Sequence, residues 1–139
     1  MTRTTDVYPT LQDRAKLSNN KNAAFFCSIH YNKGGNLINA STGELSGTGV
    51  EVFKGEGSFA NRGSQNVLNN ILQGFDLRNR GTKDGGQLYV IRNTNAPAIL
   101  VEGGFLSNSK DVRLLNNDAG LKKMGEQIAK GIVATFEGK

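Results

Sequence analysis

The sequence contains a single cysteine, Cys27, a single histidine, His30, and no apolar run long enough to cross a membrane. One thiol excludes an intramolecular disulfide and any cysteine-based zinc cluster. Its position inside Ala23-Ala24-Phe25-Phe26-Cys27 reads as a buried, inert side chain. The opening Met1-Thr2-Arg3-Thr4-Thr5-Asp6 has no apolar h-region, so nothing in this chain is expected to send it across a membrane. Blocks of Lys and Arg interleaved with aromatics are missing too, although 17 basic residues against 12 acidic ones give a formal charge of +5. Nucleic acid is therefore not an expected partner, and an anionic polymer of another kind is equally compatible with the charge. Internal repeats and low-complexity tails are likewise missing. What is present describes an ordinary globular chain: 139 residues, 37% hydrophobic and 21% charged, enough for one domain around one core, with 18 glycines that signal many tight turns.

The hydropathy pattern alternates between helix and strand. After a polar start, Thr10 and Asp13 form a capping pair for a helix over residues 11–20. The polar cluster at residues 18–22 ends it, and residues 23–29 read as a continuous apolar strand that ends on His30. Residues 31–48 are rich in Gly, Asn and Ser and are expected to form a functional loop. Residues 49–53 read as a strand, and Ser58 as the cap of a helix with apolar positions from Phe59 to Phe75. Residues 76–87 carry Arg78, Arg80 and Lys83 among glycines and are expected to be a basic loop; Leu88-Tyr89-Val90-Ile91 reads as a strand. Beyond a short helical turn over residues 111–115, a last amphipathic helix is expected over about 121–136. This alternation predicts an α/β fold, a three-layer sandwich with a twisted, mostly parallel sheet and helices on both faces.

The stretch that organises the chain is Ala96-Pro97-Ala98-Ile99-Leu100-Val101-Glu102-Gly103-Gly104. Four apolar residues after a proline read as a buried strand, and the glycine pair is expected to stop it directly after Glu102. An acid at the carboxyl end of such a strand is either a solvated charge or a catalytic group, since ligand crevices open at that end of α/β sheets. A second strand ending on His30 would set both groups on one rim. On the residues alone, His30 reads first as a satisfied imidazole and only second as a metal ligand, and Arg80 and Arg92 read first as solvated charges.

Thr2-Arg3 with Asp6, Leu11 and Arg14, then Ser28-Ile29-His30-Tyr31-Asn32, Asn79-Arg80-Gly81, Leu88-Tyr89-Val90-Ile91-Arg92 and Val101-Glu102-Gly103-Gly104-Phe105-Leu106-Ser107-Asn108, resemble the zinc-dependent N-acetylmuramoyl-L-alanine amidases of the amidase-3 type. That family includes autolysins, sporulation enzymes and phage endolysins. The resemblance implies a peptidoglycan hydrolase that cuts between the lactyl group of muramic acid and the first alanine of the stem peptide, acting at the bacterial cell wall. It implies zinc as cofactor, His30 as a metal ligand, Glu102 as catalytic acid or base, and Asn32, Arg80 and Arg92 as substrate-binding residues.

The resemblance also has a gap. The family's domain opens with a Gly-His-Gly-Gly type loop and a helix that supply the other two zinc ligands, His and Glu, and this chain matches only the part of the domain beyond them. Residues 1–139 are thus expected to be the C-terminal part of a single catalytic domain lacking the family's first strand and helix. With His30 as its one imidazole, the chain is expected to bind zinc weakly and to turn over slowly or not at all. An uncovered sheet edge invites a homo-oligomer. The alternative function is a noncatalytic wall-binding or interaction module.

Overall fold

The computed structural model describes residues 1–35, 41 and 47–139. In chain order the elements are α1 (Leu11–Asn20), β1 (Phe26–Asn32), β2 (Val50–Lys54), α2 (Ser58–Gly74), β3 (Asn79–Asp84), α3 (Tyr89–Arg92), β4 (Ala98–Phe105), α4 (Ser109–Leu115) and α5 (Asp118–Phe136). The strands form one sheet in the order β1-β4-β2-β3. β1 runs parallel to β4 and β2 parallel to β3, whereas β2 and β4 are antiparallel, so the sheet is mixed.

Alternation along the strands divides the core in two. Val50 and Val52 of β2 and Ile99 and Val101 of β4 point to the face covered by α2 and α5, where they pack with Val67, Leu68, Ile71, Met124 and Ile128. Phe26, Ala98 and Leu100 point the other way, against Val90 and Ile91 of α3. α1 lies on this second side and is tied to the α3–β4 connection by Asn19, whose amide donates to the Asn93 carbonyl and accepts from the Asn95 N–H. Helices on both faces make the α/β sandwich that the alternating pattern predicts. α2 and α5 approach closely because Gly131 has no side chain: a Cβ there would stand 2.5 Å from the Val67 α-carbon.

The expected capping box of α1 forms: the Thr10 hydroxyl accepts from the Asp13 N–H and the Asp13 carboxylate accepts from the Thr10 N–H. Five expectations are corrected. Residues 79–84 of the basic loop are β3, which holds only an edge position, where charged side chains reach water and glycine is tolerated. The apolar Leu88-Tyr89-Val90-Ile91 is mostly one turn of helix, α3, because a run this short carries no period that separates helix from strand. Gly57, at φ 94°, rather than Ser58, caps α2. Gly103 and Gly104 do not end β4, which continues to Phe105, and His30 lies inside β1, which continues to Asn32. The glycines serve packing instead. A Cβ on Gly104 would stand 2.4 Å from the Leu115 side chain, so glycine lets α4 close on the strand. Residues 36–40 and 42–46 of the long Gly/Asn/Ser loop lie outside the described residues. No helix among the described residues is long and apolar enough to cross a membrane.

Candidate functional site

Register builds the site. His30 of β1 pairs with Glu102 of β4, and Glu102 pairs on its other side with Glu51 of β2. Directly paired residues on neighbouring strands project to the same face, about 4.8 Å apart. An imidazole and two carboxyl groups therefore stand in one row across the sheet, on the side of α1 and α3. The row continues onto β3, where an irregularity between the Val50–Asn79 and Val52–Thr82 pairs sets Arg80 opposite Glu51. Arg80 Nε donates to Glu51 Oε2 at 3.0 Å.

Glu51 is only 4% exposed and is held from three sides. Asn32 Nδ2 donates to its Oε1 at 3.2 Å, Arg80 holds Oε2, and Lys83 Nζ stands 4.0 Å from the same oxygen. Such a buried carboxylate is stable only because cations and donors satisfy it. Arg80 is fixed on its other side by the Phe105 ring, whose centroid lies 5.0 Å from the guanidinium carbon.

Glu102 has the opposite surroundings. Among the described residues its Oε2 is buried with no hydrogen-bond partner. Burial first, and then the negative charge of Glu51 next to it, push its carboxyl up from 4.5 to about 7. His30 is half-buried, and desolvation together with the positive charges of Arg14 and Arg3 lowers its pKa. Its Nε2 lies 2.9 Å from the Ser28 hydroxyl, two residues back on the same face of β1. This contact fixes the ring's orientation in either tautomer. The row thus sets a carboxyl that titrates near neutrality beside a neutral imidazole, an arrangement suited to moving protons at neutral pH.

β4 is bridged to the 47–49 segment by Asp111 of α4, which is fully buried. Its Oδ1 accepts from the Thr48 hydroxyl at 2.8 Å, and its Oδ2 accepts from the Gly49 and Phe105 N–H groups at 2.8 and 2.9 Å. The outer edge of β1 opens on a cleft of about 850 Å³ that ends at His30 and is lined further along by Arg3, Tyr8, Arg14 and Leu17.

The structure brings His30, Glu102, Asn32 and Arg80 together and leaves Arg92 out. Arg92 lines a second cleft with Gly55 and Ala98, four residues back along β4 from Glu102, or about 13 Å at strand rise. Arg92 therefore stands apart from the other four residues. Sequence reasoning gave no role to Glu51, Ser28, Lys83 or Asp111. An acid flanked by valines in Val50-Glu51-Val52 was a readable signal, because a carboxylate in a buried strand requires partners.

The donor set falls short of a three-ligand zinc site. Among the described residues no group of three or more His, Cys, Asp or Glu side chains could hold a metal ion. The His30 imidazole and the unpaired Glu102 oxygen are the available donors in the row, and Glu51 is already engaged by Asn32, Arg80 and Lys83.

The fold is an α/β sandwich with an acid–imidazole pair in register on one face of its sheet. The comparisons make this specific. Residues 1–134 match the family model described as N-acetylmuramoyl-L-alanine amidase. The chain is 30% identical over 138 residues to the sporulation-specific N-acetylmuramoyl-L-alanine amidase of Bacillus subtilis (strain 168), covering 98% of this chain and 49% of that protein. It is 34% identical over 139 residues to the endolysin of Bacillus phage SPP1, covering 95% of this chain and 47% of the endolysin. Among solved structures, N-acetylmuramoyl-L-alanine amidase AmiC2 of Nostoc punctiforme superposes with a TM-score of 0.85 at 33% identity, over 98% of this chain and 71% of that one. The chain belongs to the N-acetylmuramoyl-L-alanine amidase family. It spans about half the length of the curated relatives it matches.

Proposed function

We propose that this chain acts on peptidoglycan at the bacterial cell wall, on the amide between the lactyl group of muramic acid and the first alanine of the stem peptide. The observation that carries the reading is Glu102, a carboxyl raised to about 7 with one oxygen unpaired, in register with His30. Near neutral pH such a group both takes and gives a proton. As base it accepts one from the water that attacks the lactyl carbonyl; as acid it returns one to the alanine nitrogen as the carbon–nitrogen bond breaks. Positioned proton transfer of this kind contributes roughly 10² to 10⁴ in rate. His30, oriented by its contact with the Ser28 hydroxyl, stands next to Glu102 in the row.

The zinc of the resemblance would activate the attacking water and polarise the carbonyl. The described residues do not supply three ligands for it. The expected consequences are weak zinc binding and slow turnover. The same shortage favours a second reading, a wall-binding module that holds muropeptide without cutting it.

A muropeptide hydrolysis assay at saturating zinc, run beside co-sedimentation with purified cell walls, separates the two. The amidase reading expects slow release of free alanine amino termini, reduced at least 100-fold in Glu102→Gln and His30→Ala. Wall binding with no amide cleavage at any zinc concentration overturns the amidase reading and leaves the binding module.

A further inference from the structure

We infer that Arg80, braced by Glu51 and assisted by Lys83, is a specificity residue that takes a carboxylate on the peptide side of the scissile amide; the inference rests on the amidase reading of the row. Three observations carry it.

The first is how Arg80 is held. Only its Nε donates to Glu51, and within the described residues its two terminal nitrogens have no acceptor. The Phe105 ring on one side and Glu51 on the other fix the plane of the guanidinium. A guanidinium fixed by its inner nitrogen keeps its outer pair free for one carboxylate, the planar partner that its geometry matches best.

The second is charge. Arg80 and Lys83 are two cations facing the single carboxylate of Glu51, and their side chains remain 29% and 43% exposed. Two cations share one carboxylate oxygen, so Glu51 can balance only one of them. A solvated surface pair would be neutral in itself and would gain little from a ligand.

The third is distance. β3 lies two strand spacings from Glu102, about 10 Å. From the carbonyl carbon under attack, an extended chain reaches the α-carbon of the second peptide residue in about 6 Å, and a carboxylate on that residue in about 8 Å. The anion of an acidic residue placed second in the peptide therefore falls within reach of a guanidinium leaning from β3 toward Glu51. A carboxamide at that place offers no charge and only one acceptor oxygen.

The test is calorimetric binding of two soluble ligands, an N-lactyl-alanyl peptide whose second residue bears a free α-carboxylate and the same peptide with that group as a carboxamide. Binding is measured without hydrolysis, on the Glu102→Gln protein, so the result does not depend on turnover. A charged bidentate contact is expected to favour the carboxylate ligand by about 10- to 100-fold. Arg80→Gln is expected to reduce that preference to within about 3-fold, and Arg80→Lys to leave it intermediate. Lys83→Gln, a more exposed position, is expected to reduce it in part, and it carries the test if the Arg80 variant does not fold. Equal binding of both ligands by the Glu102→Gln protein, or a preference that survives both Arg80→Gln and Lys83→Gln in that background, overturns the inference while leaving the amidase reading in place. No binding of either ligand overturns the inference, and loss of amide cleavage in the hydrolysis assay independently overturns the amidase reading.

Discussion

Glu102 carries a thermodynamic signature that can be read without substrate. Its carboxyl lies near 7 in the folded chain against an ordinary 4.5. Between those two values the folded chain keeps a proton that the unfolded chain has released, so stability falls as pH rises through this window and stays lower above it. Glu102→Gln cannot ionise and escapes that loss. The variant is expected to match the wild type near pH 4.5 and to exceed it by about 1–2 kcal/mol at pH 8, a figure reduced for the partial exposure of the side chain. Urea unfolding of chelator-treated protein across this range measures it, and parallel stability curves for the two proteins would sink the raised carboxyl. Sequence reasoning found this residue and His30 but not their environment. What sets the pKa is burial together with Glu51, fifty-one positions away in the chain and brought alongside by an antiparallel pairing, a relation that no local pattern encodes.

At the scale of elements, the joint that holds the site is Asp111. Three donors from two different segments, Thr48, Gly49 and Phe105, converge on one carboxylate with no exposure to water. Asn108 caps α4 through the Asp111 N–H and so fixes the residue's own backbone. Asp111→Asn keeps the volume but turns an amide donor toward donors, which leaves buried N–H groups unpaired. The expected cost is about 2–4 kcal/mol, read as a lower urea midpoint with unchanged slope. A loss below about 0.5 kcal/mol would show that the segment finds other partners.

The long periodic elements, α1, α2 and α5, were legible because 3.6-residue spacing and, for α1, the capping box are local properties. β3 was not, because its strand character comes only from pairing with β2; in isolation Asn79-Arg80-Gly81-Thr82-Lys83-Asp84 has the composition of a loop. The site was half legible for the same reason. Two apolar strands pointed to His30 and Glu102, although both residues lie within their strands rather than at the ends, and register rather than strand termination sets them side by side.

For the whole molecule the governing feature is the unequal treatment of the two sheet edges. β3 is a charged edge, with Arg80, Lys83 and Asp84 along it, and charge of this kind discourages pairing with another chain. β1, at the opposite edge, lacks that protection: Phe26, Cys27, Ser28 and Ile29 carry no charge, and Ile29 is 54% exposed. The cleft beside this edge adds Leu17, 38% exposed, and Tyr8, 80% exposed, to the same surface. An unprotected edge strand beside exposed apolar side chains favours addition of a further strand, and in a pure solution of this chain the available strand is β1 of a second copy. Multi-angle light scattering at tens of micromolar is therefore expected to give a mass above that of a monomer, decreasing on dilution. Ile29→Lys puts a charge on the edge without touching the His30–Glu102 row, since residue 29 faces the other side of the sheet, and is expected to return the protein to a monomer with zinc affinity unchanged. A wild type that stays monomeric at these concentrations would mean that the segment before α1 shields β1 well enough by itself, and the edge would then have no part in assembly.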